Sequence, residues 1–406
     1  MHADLTRVVL ARGHHPTPWG LRPWEELPAR FDTSLLVTRR TRYALDEVKV
    51  RCVPVRTIRD LLPRGRAGDL ATLALPDRYL DAGPHLDAAD VVHVEDLSLW
   101  FSAQLAQAKR RHGYRVLVTV WETIPLLDAY RSPHGRRFRS ATLQGADLFL
   151  ASSERARDGL LLEGVPPERI ELSYPGVDVD RFAAAAAGGS QPEPRGHLIL
   201  APARLEWEKG HHDLLRALAA LRRGIVPAGR EAVEAARILI LGSGPEEKRL
   251  RVHADELGIA DAVEFRSVPY SEMPGLYASA SCMVLASLPR SGCAMYPGDV
   301  PRCFWEEQFG LVLAEAMAAG LPIVASRSGA IPEIAGEEAG YFAPGNWIEL
   351  AALLADRVLS RDPNERTGYP EERIRRYSIQ AATERLAGAY DRLSGRADLA
   401  SSTTSR

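Results

Sequence analysis

The stretch EQFGLVLAEAMAAGLPIVAS, residues 307–326, predicts a loop, a helix and a strand in succession. Gly310 leads into a run rich in Ala and Leu that stops at Gly320, and glycine is the residue favoured just beyond the last turn of a helix. A short β-branched run then follows, as in a buried strand. Glu307 lies just before this helix, and Glu315 lies about one turn inside it.

The two glutamates predict a site for hydroxyl groups beside a site for phosphate. The first amides of a helix have no partner within it and favour a bound anion. A carboxylate would repel that anion unless it binds something else, and carboxylates accept strong hydrogen bonds from sugar and ribose hydroxyls. The alternative is a solvated Glu307 and a Glu315 on the surface of the helix.

Strand-like and helix-like segments alternate on both sides of the linker-like stretch 183–196, AAAAAGGSQPEPRG. Short β-branched runs recur within residues 7–151 and again within 197–325, and amphipathic segments separate several of them. Strands that alternate with helices indicate βαβ units and a mostly parallel sheet. The pattern predicts an α/β protein of two facing, doubly wound Rossmann-like domains that bind ligands beyond the carboxyl ends of their strands.

Length and composition exclude several classes of protein. The chain has 406 residues, a formal net charge of -2, and 46% hydrophobic and 26% charged residues, which suits a soluble protein of two or three domains. The balanced charge argues against a dedicated nucleic-acid binder. No apolar run approaches the roughly 20 residues that span a bilayer, and the N-terminal apolar run is too short for a signal peptide. The four cysteines contain no CxxC pair, so we expect a reducing, cytoplasmic location.

Two further loops are expected at carboxyl ends of strands. ARLEWEKG, residues 203–210, joins a strand-like run to an amphipathic segment and carries Arg204 and Lys209. Two cations there can neutralise a diphosphate, although ion pairs with the glutamates of the same loop are an alternative. LGSGP, residues 241–245, is a second such connection, and its glycines permit close backbone approach to a ligand.

These stretches, in this order, resemble the donor domain of the retaining glycosyltransferases of family 4, which have the GT-B fold. That family shows a GRL-(x)-EKG loop, a GxGP turn and an E-x7-E motif, which here read ARLEWEKG, LGSGP and EQFGLVLAE. Residues 174–182, YPGVDVDRF, resemble the family's N-G-V-D-x-x-x-F stretch, and residues 326–333, SRSGAIPE, resemble its GGxPE stretch. The resemblance covers most of residues 170–345.

The resemblance implies a role for each matching residue. Arg204 and Lys209 would bind the donor diphosphate, Glu307 would bind hydroxyls of the transferred sugar, and Glu315 would hold the ribose. Residues 266–268 would lie near the base. The backbone amides that would contact sugar and phosphate are those of Gln308, Phe309, Gly310 and Leu311, and the glycines that would line the nucleotide pocket are Gly242 and Gly244.

The resemblance also implies the reaction. A hexosyl unit would pass, with retention, from a UDP-, GDP- or ADP-sugar to a hydroxyl of a glycan, a lipid-linked acceptor or a small molecule. No metal or other cofactor would be needed, because cations and helix amides stabilise the leaving diphosphate. The DxD sequence Asp178–Asp180, a metal-binding signature elsewhere, is expected to be a structural turn. Two alternatives stay open: another GT-B nucleotide-sugar enzyme, such as an epimerase or hydrolase, and a non-catalytic GT-B partner subunit.

The first half departs from the family on its expected acceptor side. Family members often carry a His followed by Asp after a strand, where this chain has Trp121 and Glu122. Glu122 could orient the acceptor or serve as an auxiliary base, or it could cap the N-terminus of a helix. His93 ends another strand-like run and could also face the cleft. A loop with His14 and His15 replaces the family's Gly-rich loop, and we expect it near donor and acceptor, with hydrogen bonds rather than a metal.

The expected plan of the chain has five segments: an acceptor-side domain (1–185), a linker (186–196), a donor domain (197–370), a helix that packs back on the first domain (371–395) and a disordered tail (396–406). The insertion 288–305 could form a wall of the sugar pocket or an ordered loop without substrate contact. Basic clusters at 107–115 and 131–139 could contact the inner leaflet of a membrane, or could be solvated helix ends.

Overall fold

The structure is a computed structural model that describes residues 5–41, 43–63, 65, 71, 75, 77–127, 133–188, 196–289 and 305–395. Contacts divide the chain into two compact units. The first comprises Met1–Gly176 and Ile379–Arg406, and the second comprises Val177–Ser378. The predicted linker, the 288–305 insertion and the tail lie largely or wholly outside the described residues. In the part that is described, no helix is long and apolar enough to cross a bilayer.

Each unit contains one parallel β-sheet. The strands, in chain order, are β1 (Thr6–Ala11), β2 (Phe31–Thr38), β3 (Arg51–Val55), β4 (Val91–Glu95), β5 (Arg115–Val120), β6 (Leu148–Ala151), β7 (Ile170–Leu172), β8 (Leu198–Pro202), β9 (Arg237–Leu241), β10 (Val263–Arg266), β11 (Cys282–Leu285), β12 (Ile323–Ser326) and β13 (Gly340–Phe342). The first sheet has the order β3-β2-β1-β4-β5-β6-β7, and the second has the order β10-β9-β8-β11-β12-β13. The predicted fold class, α/β with two Rossmann-like domains, is confirmed.

Both sheets are doubly wound, because their strand order reverses once. The reversal lies between β1 and β4 in the first sheet and between β8 and β11 in the second. Such switch points are where open α/β sheets bind ligands, beyond the carboxyl ends of the strands. Strands β6, β11 and β12 are buried at every residue, which explains their sequences, apolar throughout except for Ser326 at the end of β12.

Helices connect the strands. In chain order they are α1 (Arg22–Glu25), α2 (Ile58–Leu61), α3 (Gly83–Leu86), α4 (Trp100–His112), α5 (Pro133–Gly145), α6 (Glu154–Leu162), α7 (Val179–Ala187), α8 (His211–Arg222), α9 (Arg230–Ala235), α10 (Glu247–Glu256), α11 (Met273–Ser279), α12 (Leu311–Ala318), α13 (Ile331–Ala335), α14 (Trp347–Leu354), α15 (Glu371–Arg376) and α16 (Ile379–Leu393). The helix that the opening stretch predicts is α12, and the strand after it is β12.

The last helix, α16, covers one face of the first sheet. Leu386 and Tyr390 of α16 pack in the same buried cluster as Leu10 and Val91 of the sheet. Trp24 of α1 donates its indole N–H to the Tyr390 hydroxyl at 2.7 Å. The final helix therefore belongs to the first unit, although it follows the second unit in the sequence.

The two ends of the second unit differ from the predicted plan. The predicted helix 371–395 is broken at Tyr377, whose buried carbonyl accepts the amide of Val177 at 2.8 Å. That hydrogen bond joins the first and last segments of the second unit. The boundary expected at residue 185 falls inside α7, which packs in the second unit through the fully buried Phe182.

Candidate functional site

Several of the residues that the motifs single out lie on loops at the carboxyl edge of the second sheet. Arg204 and Lys209 lie between β8 and α8, and Glu307 lies between β11 and α12. Strands β8 and β11 are neighbours across the switch point of this sheet. The fold therefore brings both loops to the position where doubly wound sheets bind ligands.

Lys209 and Glu307 form a largely buried ion pair. Lys209 Nζ lies 2.7 Å from Glu307 Oε2, and the two side chains are 11% and 8% exposed. The Ser287 hydroxyl donates to the same carboxylate oxygen at 2.6 Å. Among the described residues, Glu307 Oε1 has no hydrogen-bond partner. The pair thus offers a cation, which suits phosphate, and an unoccupied carboxylate oxygen, which suits a hydroxyl.

An aromatic ring also covers Lys209. Its Nζ lies 4.5 Å from the centre of the Trp305 ring, at the near end of the 288–305 insertion. A cation over an indole face is attracted by the ring quadrupole. One end of the insertion, at Trp305, therefore lies beside a residue of the candidate site.

The backbone of Glu307 is held by the loop after β12. The Glu307 amide donates to Ser328 Oγ at 3.3 Å, and its carbonyl accepts the Ala330 amide at 2.8 Å. Gly329 has a φ of 54°, and a Cβ there would lie 2.0 Å from the Glu307 carbonyl oxygen. The SRSGAIPE stretch therefore needs its glycine so that two backbones can approach each other.

The two glycines of the GSGP turn have a packing role. A Cβ at Gly242 would lie 2.1 Å from the Ala203 carbonyl oxygen, and one at Gly244 would lie 2.3 Å from that of Leu205. The turn thus presses against the loop that carries Arg204. Their predicted place beside the nucleotide stays a prediction, but the requirement for glycine already follows from this contact.

Arg204 is more exposed than Lys209. Its Nη1 lies 3.2 Å from Glu206, its Nη2 lies 3.7 Å from Glu208, and its side chain is 45% exposed. These are the ion pairs within the loop that the sequence analysis gives as the alternative to diphosphate binding. Exposed pairs of this kind contribute little to stability, so the guanidinium can exchange them for a bound phosphate at small cost.

The start of α12 is anchored by Phe309. This side chain is buried, and its ring packs against Tyr377 at 5.5 Å between centroids. Gly310 then adopts a left-handed conformation, with a φ of 80°, directly before the helix. The anchored turn fixes the direction in which the first amides of α12 point. Their contacts with sugar and phosphate stay predictions for Gln308, Phe309, Gly310 and Leu311.

Glu315 is buried within α12, and both of its carboxylate oxygens accept a tyrosine hydroxyl. Tyr270 donates to Oε1 at 3.0 Å, and Tyr277 donates to Oε2 at 2.7 Å. Burial raises the pKa of Glu315, while both hydrogen bonds favour its charged form. The alternative of a Glu315 on the surface of the helix is therefore wrong, because Glu315 is only 4% exposed.

The structure places His93 in the core of the first unit. Its Nδ1 lies 2.7 Å from the Tyr390 hydroxyl, and its Nε2 lies 2.7 Å from Thr119 Oγ1. Burial, followed by the nearby Arg12 charge, lowers the pKa of His93 well below its usual value. The expectation that His93 faces a cleft is therefore corrected. His93 is the middle residue of β4, and its side chain is fully buried.

His14 and His15 differ in burial, although they are adjacent. His14 is buried, its Nδ1 lies 2.7 Å from Thr38 Oγ1, and its Nε2 contacts the Asp77 carboxylate. Burial raises the pKa of Asp77, but hydrogen bonds led by that of His14 outweigh it and lower the value overall. His15 is exposed. The expected hydrogen-bonding role suits His14, whereas proximity to an acceptor stays a prediction for both.

Glu122 closes a local turn. Its Oε1 accepts the amides of Thr123 and Ile124 at 3.1 and 3.0 Å. This is a capping contact like the one that the sequence offered as an alternative. The side chain is half-buried, and contact with an acceptor stays a prediction.

The basic cluster 107–115 is partly neutralised. Lys109 and Arg115 both pair with Asp147, at 2.6 and 3.0 Å. Arg110 and Arg111 remain exposed at the end of α4. The cluster therefore offers less positive charge to an anionic surface than its sequence indicates.

Sequence reasoning missed a buried ion pair at the switch point of the first sheet. Arg12 directly follows β1, Glu95 ends β4, and the two side chains are in contact. Glu95 Oε1 also accepts the indole N–H of Trp121 at 3.1 Å, and the Arg12 guanidinium lies 4.6 Å from the ring centre of Trp24. Charged residues that end two apolar runs are the only signal in the sequence, and it does not reveal that these strands are neighbours.

Buried histidines make the stability of the fold depend on pH. Burial lowers the pKa of His93, His197, His211 and His212, to about 4 for the last two. The unfolded chain takes up protons near the usual value of about 6.5, whereas the folded chain does not, so the free energy of unfolding should fall as pH drops through that range. The raised pKa of Glu315 has the opposite effect on the free energy of unfolding, but it concerns one group, whereas four histidines have lowered pKa values.

Urea unfolding at about pH 8, pH 7 and pH 5.5 checks this expectation. We expect little change between the two higher values and a lower midpoint at the lowest value, where carboxyl groups with ordinary pKa values are still charged. A midpoint that stays constant down to the lowest pH would contradict it.

Comparison with known proteins gives a match in each half of the chain. The family model described as Glycosyl transferases group 1 matches residues 189–374. The family model described as Glycosyltransferase Family 4 matches residues 24–181. The first match includes Lys209, Glu307 and Glu315.

The chain is also similar to individual proteins. It is 28% identical over 323 residues to the GDP-mannose-dependent alpha-(1-6)-phosphatidylinositol monomannoside mannosyltransferase of Mycobacterium tuberculosis strain H37Rv, which covers 73% of this chain and 76% of that protein. It is 28% identical over 316 residues to the D-inositol 3-phosphate glycosyltransferase of Corynebacterium jeikeium, with coverage of 72% and 69%. The crystal structure of Anabaena Alr3699/HepE in complex with UDP shares the fold, with a TM-score of 0.69, 16% identity, and coverage of 95% of this chain and 99% of that chain.

Proposed function

Because the chain belongs to family 4 of the GT-B glycosyltransferases, we propose that it is a retaining, metal-independent hexosyltransferase. The donor is a nucleotide-diphosphate sugar, and the acceptor is a hydroxyl of a glycan, a lipid-linked molecule or a small molecule. The observation that carries the proposal is the largely buried Lys209–Glu307 pair at the switch point of the second sheet.

In this proposal, Lys209 and Glu307 act on the two sides of the bond that breaks. An ammonium group has three donors, so Lys209 can keep its contact with Glu307 and bind an oxygen of the donor phosphate. Glu307 Oε1 accepts a hydroxyl of the transferred sugar. The pair thereby holds the reacting carbon between a fixed cation and a fixed carboxylate, which is electrostatic and positional catalysis.

The negative charge that develops on the leaving phosphate needs stabilisation from the protein. Lys209 is the fixed cation, Arg204 can exchange its exposed ion pairs for the phosphate, and the first amides of α12 supply donors. These groups supply the charge that a metal supplies in other enzymes, which supports independence from metal. The leaving phosphate takes the acceptor proton as the acceptor attacks from the same face, so retention requires no nucleophile from the protein.

The identity of the nucleotide is an open part of the proposal. One relative is described as GDP-mannose-dependent, and one protein of the same fold was crystallised with UDP. A thermal-shift panel of UDP-, GDP-, ADP- and TDP-sugars, with and without EDTA, identifies the donor, because a ligand of the folded state raises the melting temperature.

The product of the preferred donor then tests the reaction. NMR of the new linkage should show the anomeric configuration of the donor, and EDTA should leave the rate unchanged. A product with inverted anomeric configuration would contradict the retaining mechanism. A lower transfer rate in EDTA would show that the enzyme requires a metal. Free sugar or an epimer, formed without acceptor, would favour a hydrolase or an epimerase instead.

A further inference from the structure

Two tyrosines and a glutamate form a hydrogen-bonded cluster that joins three elements of the second unit. Tyr270 lies in the 3-10 turn Tyr270–Glu272, just after the loop that follows β10. Tyr277 lies in α11, and Glu315 lies in α12. Both tyrosine hydroxyls donate to Glu315, one to each carboxylate oxygen. The cluster therefore fixes the plane of the carboxylate as well as its position.

The tyrosines remain donors across the physiological pH range. Burial, and then the charge of Glu315, raises the pKa of Tyr270 and of Tyr277 well above the usual value of a phenol. A buried carboxylate without donors would be destabilised and would take up a proton. The two hydroxyls thus favour the charged form of Glu315, in opposition to the burial that raises its pKa, and they orient the carboxylate.

A third aromatic ring prevents the tyrosines from turning. Phe182 of α7 is fully buried, and its ring centre lies 5.1 Å from that of Tyr277 and 6.2 Å from that of Tyr270, both in edge-on arrangements. Arg181 donates to the Ser271 carbonyl at 2.8 Å, which ties the same helix to the turn of Tyr270. The orientation of Glu315 is therefore set by packing.

The hydrogen-bonding capacity that remains on Glu315 matches a vicinal diol. A carboxylate has about four lone-pair sites, and the tyrosines use one on each oxygen. Within the part of the chain that the structure describes, one site on each oxygen remains, which suits two adjacent hydroxyl groups such as O2′ and O3′ of a ribose. Tyr270 is half-buried, whereas Tyr277 and Glu315 are buried.

We propose that Tyr270 and Tyr277 are positioning residues that orient Glu315 toward both ribose hydroxyls, so that the site prefers ribonucleotide to 2′-deoxyribonucleotide donors. The inference rests on the proposed function, in which Glu315 holds the ribose. A donor that lacks O2′ leaves one site of a buried carboxylate without a partner. A site that is built to hydrogen-bond a substrate hydroxyl binds the analogue without that hydroxyl less well, because a buried polar group is then left unpaired. TDP-sugars, which carry deoxyribose, should accordingly bind less well than the preferred ribonucleotide sugar.

The test compares ribo and deoxy ligands across matched variants. Calorimetry gives Kd for UDP, GDP and ADP and for their 2′-deoxy forms, with the wild type, Tyr277→Phe and Tyr270→Phe. The wild type should prefer the ribo form of its nucleotide by about tenfold or more, and each variant should reduce that ratio several-fold. The control is Tyr369→Phe, because Tyr369 is also buried in the second unit but donates to the Leu321 carbonyl at 2.8 Å. It should leave the ratio unchanged.

Each outcome separates this inference from the proposed function. A wild type that binds a nucleotide but does not distinguish ribose from deoxyribose would overturn the inference and leave the glycosyltransferase proposal intact. The inference is equally overturned if the wild type distinguishes them and both Tyr→Phe variants keep the full ratio. A wild type that binds none of the nucleotides would overturn both proposals. If Tyr277→Phe does not fold, Tyr270→Phe carries the test, because Tyr270 is less buried.

Discussion

Replacing Lys209 by methionine should lower the rate of transfer by at least about a hundredfold, the effect of removing one preorganised electrostatic contact from an active site. Methionine keeps most of the length of the unbranched side chain, but removes the cation that lies beside Glu307 and over the Trp305 ring. The carboxylate is then left in a largely buried site, where the Ser287 hydroxyl is its remaining side-chain partner among the described residues. We therefore also expect a loss of stability of up to about 3 kcal/mol.

A double variant separates the two effects. Lys209→Met combined with Glu307→Gln has no uncompensated charge, so it should regain most of the stability that Lys209→Met loses. Its transfer rate should stay as low as that of the single variants, because the two residues act on one reaction as a unit. Rates come from initial-velocity assays with the donor found in the thermal-shift panel, and stabilities come from urea unfolding.

The matched control is Lys248→Met, which removes an exposed lysine from α10 in the same unit. It should change neither the rate nor the unfolding midpoint, since exposed charges contribute little. Wild-type transfer by Lys209→Met would remove the observation on which the proposed function depends. Activity that returns in the double variant would show that the pair is only structural.

Gly210→Ala should disrupt the candidate site through the backbone alone. A Cβ at Gly210 would lie 1.9 Å from the Ala286 carbonyl oxygen, so the two loops would have to separate. Gly210 follows Lys209, and Ala286 precedes Ser287, so this separation displaces both side-chain partners of Glu307. A displacement of about 1 Å in an active site can reduce the rate about a hundredfold.

The expected loss of stability combines two terms. Alanine is strained in the left-handed conformation that Gly210 adopts, with a φ of 64°, and this costs about 1–2 kcal/mol. The collision with Ala286 adds about 1–3 kcal/mol, as in other overpacked sites. The total should appear as a lower midpoint of urea unfolding.

Gly224 provides the control that isolates the collision. Its φ is 66°, but a Cβ there would meet no atom within 4 Å. Gly224→Ala should therefore show only the backbone strain and should retain full transfer. Equal effects of the two substitutions would mean that the contact with Ala286 does not constrain the site.

Much of the fold follows from local patterns in the sequence. The run from Gly310 to Gly320 predicts α12, and the apolar runs predict buried strands, because periodicity and helix-ending glycines depend on neighbouring residues alone. The E-x7-E, EKG and GxGP motifs likewise indicate the family before any contact is known. The break at Tyr377 was missed, because it depends on the backbone contact with Val177 at the other end of the unit.

The partners of the site residues depend on the order of the strands. Lys209 and Glu307 are 98 residues apart, and they meet only because β8 and β11 are neighbours. The same principle explains why His93, a strand end by its sequence, is enclosed by Tyr390 from the last helix.

The sequence by itself determined the class of fold, the family and the residue types of the site, since these follow from local periodicity and motif. Only the tertiary structure decided which charges neutralise one another, that His93 is enclosed and that two tyrosine hydroxyls donate to Glu315. The reason is physical: burial and pairing are set by segments distant along the chain that the two sheets bring together.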